Sequence, residues 1–228
     1  MFKQSEKSLL PISNLQIRRN SDYQVFDFDH EGRLRNPKGR LDLKLKAFSK
    51  VLPKDFTNHT VLDIGCDFGF WSFYSALNGA KEVLGIDRNR EVRGQGIVNL
   101  VDLNTEVVEA FPKLYGVCKF QECNIGHEFP DIGQFDIVYM CSLYHHIYNN
   151  VREHAPIFEW LKSCCRGFVI FENPIDLTDS VARQHVKFNK ENYNREAIEK
   201  AYTAVGFTRN FEGPALHEKT RIVWRLQA

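Results

Sequence analysis

Short apolar runs alternate with longer amphipathic stretches along most of this chain, beginning at residue 59. His59–Ile64 is aliphatic and β-branched and reads as a buried strand. Phe70–Leu77 follows as a helix that Asn78-Gly79 stops. Glu82–Asp87 is a second strand. Residues 89–110 carry Val98, Val101 and Val108 on one helical face; Gly94 and Gly96 predict a bend there, each weakening the helix by about 1 kcal/mol. Gly116–Cys123 and Phe135–Cys141 are the third and fourth strands, with Gly133 as punctuation before the latter. Pro156 suits the first turn of a helix running to Cys164. Gly167–Glu172 is a fifth strand, and Glu191–Val205 is a helix with Gly206 as its C-cap. Two final strands, near Phe207–Phe211 and Thr220–Leu226, have no helix between them and are expected to pair as antiparallel neighbours.

This order predicts an α/β fold: a doubly wound, seven-stranded, mostly parallel sheet with helices on both faces. Ahead of it, Leu41, Leu45, Phe48 and Leu52 have helical spacing that Pro53 ends, and residues 23–35 read as a short hairpin turning at His30–Gly32. Residues 1–54 are therefore expected to form a small N-terminal cover and lead-in helix on a core of residues 55–228.

Composition changes the picture in four respects. The 228 residues are 43% hydrophobic and 26% charged, which excludes a disordered or fibrous chain. No apolar run approaches the roughly 18 residues of a membrane span, and Met1–Leu10 lack the apolar stretch of a secretory signal, so a cytoplasmic location is expected. Six cysteines follow no CxxC spacing, which argues for reduced thiols rather than a zinc site. The net charge of +1 is unevenly spread: residues 1–54 hold twelve Lys and Arg against six Asp and Glu, and the remainder 18 against 23. A basic front on an acidic body suits an anionic partner as well as a solvated arm.

The informative segment is Val61-Leu62-Asp63-Ile64-Gly65-Cys66-Asp67-Phe68-Gly69, a strand entering a glycine-bearing turn and then a helix. A dinucleotide at such a turn needs G-x-G-x-x-G, because its pyrophosphate must reach bare backbone at the helix start. Here Asp67 stands at the second glycine position. A carboxylate about 4 Å from a phosphate charge costs roughly 4 kcal/mol at an effective dielectric of 20. Asp63 and Asp67 suit a ligand bearing positive charge instead. Asp87, at the end of the second strand, can accept hydrogen bonds from both hydroxyls of a ribose.

These residues resemble the class I S-adenosylmethionine-dependent methyltransferases, whose first motif, D-x-G-C-x-x-G after a strand, is matched by Asp63, Gly65, Cys66 and Gly69. The resemblance covers residues 40–228. It implies S-adenosyl-L-methionine as cofactor, held at its methionine end by the Asp63–Gly69 turn with Asp67, and at its ribose by Asp87 with Arg88 beside it. Asn124 and Ile125 would face the adenine, with an amide at Asn124 where the family often has an acid. Phe135-Asp136-Ile137-Val138 matches the family's fourth-strand motif and brings Cys141 to the methyl-transfer site.

Ser142-Leu143-Tyr144-His145-His146-Ile147-Tyr148-Asn149 then supplies the candidate chemistry. It is similar to a family pattern of aromatic and histidine residues beside the sulfonium, and to a stretch in the tRNA wobble-uridine enzymes that use this cofactor or its carboxylated relative. A hydroxyl acceptor needs a base, and histidine titrates in the useful range. His146 and His145 are the candidates, with Tyr144 beside them and Tyr148 as an acceptor-pocket wall. Glu172-Asn173 ends the fifth strand where the metal-dependent catechol methyltransferases place metal ligands, but the further acid of that set has no counterpart at Cys141 or Ser142, so no metal is expected. Residues 173–192 lie over the same strand ends; Glu172 and Arg183 are candidate substrate contacts, and Arg183, His185 and Lys187 would face an anionic acceptor there. Transfer to an oxygen or a nitrogen of a small or saccharide-like, anionic acceptor is favoured over RNA (tRNA) modification. A non-catalytic cofactor-binding subunit and a nicotinamide oxidoreductase are the competing classes.

Overall fold

The computed structural model describes residues 24–28, 32–38, 40–88, 90–92, 96–215 and 221–228. A hairpin of β1 (Val25–Phe28) and β2 (Leu34–Lys38) leads into α1 (Arg40–Phe48). The core follows as β3 (Thr60–Ile64), α2 (Phe70–Leu77), β4 (Glu82–Asp87), a small hairpin of β5 (Arg90–Val92) and β6 (Gly96–Val98), α3 (Leu100–Ala110), β7 (Cys118–Glu122) and β8 (Phe135–Cys141). Then come α4 (Tyr144–Val151), α5 (Ala155–Cys164), β9 (Cys165–Pro174), α6 (Ser180–His185), α7 (Arg195–Ala204), β10 (Thr208–Pro214) and β11 (Arg221–Gln227).

One seven-stranded sheet has the order β10-β11-β9-β8-β3-β4-β7. Its strands β9, β8, β3, β4 and β7 pair in parallel, and β11 lies antiparallel between β9 and β10. The expected antiparallel closing pair is therefore present. Strand alternation sends Leu62, Val138, Met140, Val169 and Phe171 to one face, where Tyr144, Phe158 and Tyr202 of α4, α5 and α7 cover them. Val61, Ile137, Tyr139 and Ile170 point to the other, under Phe48 of α1, Phe70, Trp71 and Phe73 of α2 and Val107 of α3. Because both faces are covered, the central strands are apolar almost throughout rather than alternating.

The N-terminal hairpin belongs to this second layer. Phe26 meets Phe70 edge-on at 5.2 Å, Phe28 stacks on Phe111 at 4.7 Å, and Phe48 stacks on Trp71 at 4.6 Å.

Three local expectations need correction. The helix expected over 89–110 begins only at Leu100; its first part is the β5–β6 hairpin, where β-branched Val92, Ile97 and Val98 flank the glycines. The buried face of α3 is Leu100, Asn104, Val107 and Val108 rather than a valine stripe through Val101. Helix α1 stops at Phe48, with Leu45 and Leu52 only partly covered, and a charge, Lys44, takes the buried place beside Leu41 and Phe48. Finally, α4 forms over a stretch to which the sequence pattern assigns no element. Tyr144, Ile147 and Tyr148 give it a buried face, and its first amides are capped from another strand: Leu143 and Tyr144 N–H both donate to Asn173 Oδ1 at 2.9 and 2.8 Å. Residues 1–23 and the hairpin turn at His30 lie outside the described residues.

At the amino ends of β3, β8 and β9, Asp136 accepts from Thr60 N–H at 2.8 Å and from Arg166 Nε and Nη2 at 2.7 and 3.0 Å. The Arg166 fork, aided by Thr60, holds this carboxyl down at about 2. Its stabilisation is present above pH 4 and is lost as pH falls through that value. Asp136→Asn is expected to cost about 1–2 kcal/mol at pH 7 in urea unfolding, with the difference from wild type shrinking between pH 4 and pH 2. A pH-independent difference would contradict the assignment.

Candidate active site

β3 and β8 are parallel neighbours whose chains leave in opposite directions, β3 through α2 to β4 and β8 through α4 and α5 to β9. Such a switch point opens a crevice at the carboxyl ends of the strands. It holds a cleft of about 240 Å³. Gly65 and Asp67 line it after β3, and Ile86, Asp87 and Arg88 at β4. Cys123, Asn124 and Ile125 line it after β7, Cys141, Ser142 and Leu143 at β8, and His146, Ile147 and Asn150 on α4.

The turn from β3 to α2 is tied by its own neighbours. Gly65 and Cys66 N–H both donate to Ile86 O, at 2.8 and 3.1 Å. Asp67, at φ +52°, donates its N–H to Asp87 Oδ2 at 2.7 Å, and Gly69 N–H closes back on Cys66 O at 2.8 Å. At the start of α2, Phe70 N–H donates to Gln24 Oε1 at 3.0 Å, and Ser72 N–H and Oγ donate to Asp63 Oδ2 at 3.0 and 2.7 Å. A pyrophosphate needs such amides free. Here they are satisfied by side chains and backbone, and the acidic residues lining the cleft are Asp67 and Asp87. That donor set suits a cation and a ribose. Gly65 adds a cradle: at φ +70° it takes a conformation L side chains rarely adopt, and a Cβ there would sit 2.7 Å from Leu143 Cδ2, closing the cleft between them.

Asp87 joins the loops. Its Oδ1 accepts from Arg88 N–H at 2.7 Å, while its carbonyl accepts from Cys123 N–H at 2.8 Å. Asp63 lies behind the turn, 2% exposed. Burial pushes its carboxyl up to about 7, against the lowering effect of its bonds to Ser72, with Asp87 and Asp67 adding repulsion.

The opposite wall rests on buried ions. Ser142, at φ +55°, accepts at Oγ from Lys44 Nζ at 2.9 Å and Arg221 Nη1 at 2.8 Å and donates to Glu172 Oε2 at 2.8 Å. Lys44 also pairs directly with Glu172 at 2.9 Å, and Arg221 Nε lies 3.8 Å from Asp179. All four charged side chains are buried.

The fold thus brings Gly65, Asp67, Asp87, Arg88, Asn124, Ile125, Cys141 and His146 to one cleft. Asp63, Cys66 and Gly69 support the turn without lining it. His145 is 1% exposed beside Ser142 and the ion cluster, and neither ring nitrogen has a hydrogen-bond partner among the described residues; burial pushes it down to about 2. Tyr144 and Tyr148 are core residues: their hydroxyls bond His154 Nδ1 and Asn189 O. Glu172 is fully buried in the ion cluster, Asn173 is the α4 cap, and Arg183 stands exposed on α6 away from the cleft lining. Cys141 lines the cleft as a neutral thiol, since burial and the neighbouring Glu172 push it well above the ordinary range. Gln24, Lys44, Ser142 and Arg221 were not singled out from sequence. For Lys44 a signal exists in its spacing, three residues after Leu41 and four before Phe48, which puts a charge within an apolar face.

A family model described as a methyltransferase domain matches residues 62–163. An S-adenosylmethionine-dependent methyltransferase from Mesorhizobium loti superposes with a TM-score of 0.56 at 14% identity, covering 82% of this chain and 98% of that one. A TehB-like S-adenosylmethionine-dependent methyltransferase from Corynebacterium glutamicum gives 0.51 at 13% identity, with 81% and 86% covered. The ribosomal protein L11 methylase from Lactobacillus delbrueckii subsp. bulgaricus gives 0.50 at 18%, with 81% and 76% covered. No curated protein sequence matches the chain. The sheet is that of the class I methyltransferases and residues 62–163 are a methyltransferase domain. The matched domain is that of a methyltransferase, and the solved structures from M. loti and C. glutamicum on which the fold superposes are S-adenosylmethionine-dependent. Among the described residues no helix is long and apolar enough to cross a membrane.

Because Asp63 binds its proton more tightly folded than unfolded, its contribution favours the fold below about pH 4 and is lost as pH rises toward 7. Asp63→Asn keeps an acceptor for Ser72 without the charge. Its melting temperature relative to wild type is expected to rise between pH 5 and pH 8; a constant offset would contradict the raised carboxyl.

Proposed function

We propose that the enzyme transfers the methyl group to a hydroxyl oxygen of a small, anionic, saccharide-like acceptor, with His146 as general base. The carrying observation is that His146 projects from the first turn of α4 into the cleft that also holds the Gly65–Asp67 turn. Burial, with His185, Arg88 and Arg221 nearby, pushes its imidazole down to about 4, so it is neutral and able to accept a proton at physiological pH.

The bound cofactor supplies an electrophilic methyl group on a cationic sulfur. Asp67 would face its ammonium group, and Asp87 would accept from the ribose hydroxyls. Asn124 and Ile125 would receive the adenine. His146 would orient the acceptor hydroxyl and take its proton as the oxygen–methyl bond forms and the methyl–sulfur bond breaks, leaving a neutral thioether. The ring of exposed His185 lies 4.3 Å from that of His146, centroid to centroid, and offers the proton a route to solvent. A neutral imidazole also avoids repelling the sulfonium.

Charge and shape support the acceptor class. Exposed Arg88 sits at the rim, and His185 and Lys187 follow on the far side of His146. The segment carrying them is pinned to α4 and the turn after it: Lys187 N–H donates to Asn149 Oδ1 at 2.7 Å, and Asn189 Nδ2 to Arg152 O at 2.8 Å. It is therefore held against α4 beside His146, which supports a small acceptor over a large one.

Methyl-labelled cofactor, incubated with hydroxy acids, sugar phosphates and RNA, tests this reading. Label is expected in the oxygen of an anionic small molecule, at a rate flat from pH 6 to 8 and falling toward pH 4. His146→Gln is expected to slow transfer by about 100-fold or more while changing cofactor affinity less than about threefold. Transfer to RNA alone, or an undiminished His146→Gln enzyme, would overturn it.

A further inference from the structure

The N-terminal segment reaches both halves of the cleft, and it does so through two polar side chains that are almost fully buried. Gln24, 4% exposed just before β1, bridges the glycine turn: its Nε2 donates to Cys66 O at 3.2 Å while its Oε1 accepts from Phe70 N–H at 3.0 Å. Lys44, 2% exposed on α1, donates to Ser142 Oγ and pairs with Glu172, both at 2.9 Å. Neither touches the cleft itself. A buried amide and a buried ammonium are costly unless fully engaged, and an apolar side chain at either place would pack α1 and β1 against the core more cheaply. What each engages is specific. Gln24 fixes the carbonyl and amide on either side of the Asp67–Gly69 turn. Lys44 fixes the left-handed residue, Ser142, from which the chain enters α4 and presents His146 three residues after Leu143.

We propose that Gln24 and Lys44 are positioning residues with separate duties. Gln24 sets the cofactor half of the cleft and Lys44, acting through Ser142, sets the half that carries His145 and His146. The N-terminal segment is then part of the active site rather than a cover on it. The inference rests on the reading of this cleft as the cofactor and acceptor site.

The two duties predict a double dissociation that needs no acceptor. In the full chain, Gln24→Met is expected to raise the dissociation constant of S-adenosylmethionine about tenfold, by calorimetry, and to leave the histidine ring resonances near their wild-type positions. Lys44→Met is expected to do the reverse: cofactor affinity within about twofold of wild type, with the resonances of His145 and His146 and the titration midpoint of His146 displaced. Lys44→Met leaves Glu172 still paired with Ser142 and near Arg221, but loss of a buried cation can unfold a protein. Ser142→Ala provides the second route, because it keeps the ion pairs and removes only the hydroxyl through which Lys44 acts. It is expected to displace the same histidine signals, and the Lys44→Met, Ser142→Ala double variant to displace them no further than one alone. If Gln24→Met and the Ser142 or Lys44 variants change both readouts alike, or if none changes either, the division of duties is wrong. A wild-type chain that binds no cofactor would instead sink the reading of the cleft, and the inference with it.

Discussion

The site depends on how the amides of one turn are satisfied. Between Gly65 and Ser72, N–H groups that could have cradled a phosphate are drawn inward: to Ile86 O, to Asp87, to Cys66 O, to Gln24 and to Asp63. The switch-point geometry of a doubly wound sheet is common to many nucleotide-binding proteins. What distinguishes this one is that its turn presents carboxylates. In the reading proposed above, Asp67 in a left-handed conformation and Asp87 at the end of β4 would make the same crevice hostile to a pyrophosphate and hospitable to a cation on a nucleoside. Asp87 is central, because one carboxylate both organises the Asp67 and Arg88 amides and remains on the cleft wall.

The second half of the site uses ions where the first uses amides. Lys44, Glu172, Arg221 and Asp179 come from α1, β9, β11 and the start of α6, so the cluster gathers distant parts of the chain behind Ser142. Among these residues two cations and two anions offset one another, which lets the group stay buried. Such clusters contribute little net stability compared with an apolar core of the same shape, but removing one member is costly. Their value here is geometric. Ser142 is held at a positive φ, α4 is capped by Asn173, and His146 is carried to the cleft on a helix whose other face is buried under aromatic rings.

Much of this was legible in the chain. The parallel strands are short, apolar and bounded by glycine or asparagine, and a strand of that kind declares itself locally; α2 and β4 fall where their residues say. The Asp63–Gly69 turn and Asp87 could be read because their chemistry is written in consecutive or regularly spaced residues. What escaped has one cause: its partners are remote. The cap of α4 is an asparagine on β9, so the helix was not seen. Tyr144 and Tyr148 look like pocket walls in sequence and turn out to be core, because His154 and Asn189 O are folded over their hydroxyls. Glu172 looked available and is enclosed. Gln24 and Lys44 reach the site only after a hairpin and a helix have packed on α2, and nothing adjacent to them announces it. The hairpin at 90–98 was mistaken for helix because a valine period was weighed above the glycines that break it.

The most direct measurement is calorimetric titration of the intact chain with S-adenosylmethionine and, separately, with NADH, repeated for Asp87→Ala. If the turn is built for a cationic nucleoside, the sulfonium cofactor binds at micromolar concentration, NADH gives no heat of binding, and removing the Asp87 carboxylate weakens the cofactor about tenfold or more, roughly 1.4 kcal/mol. Saturable binding of NADH, or cofactor affinity indifferent to Asp87, would contradict it.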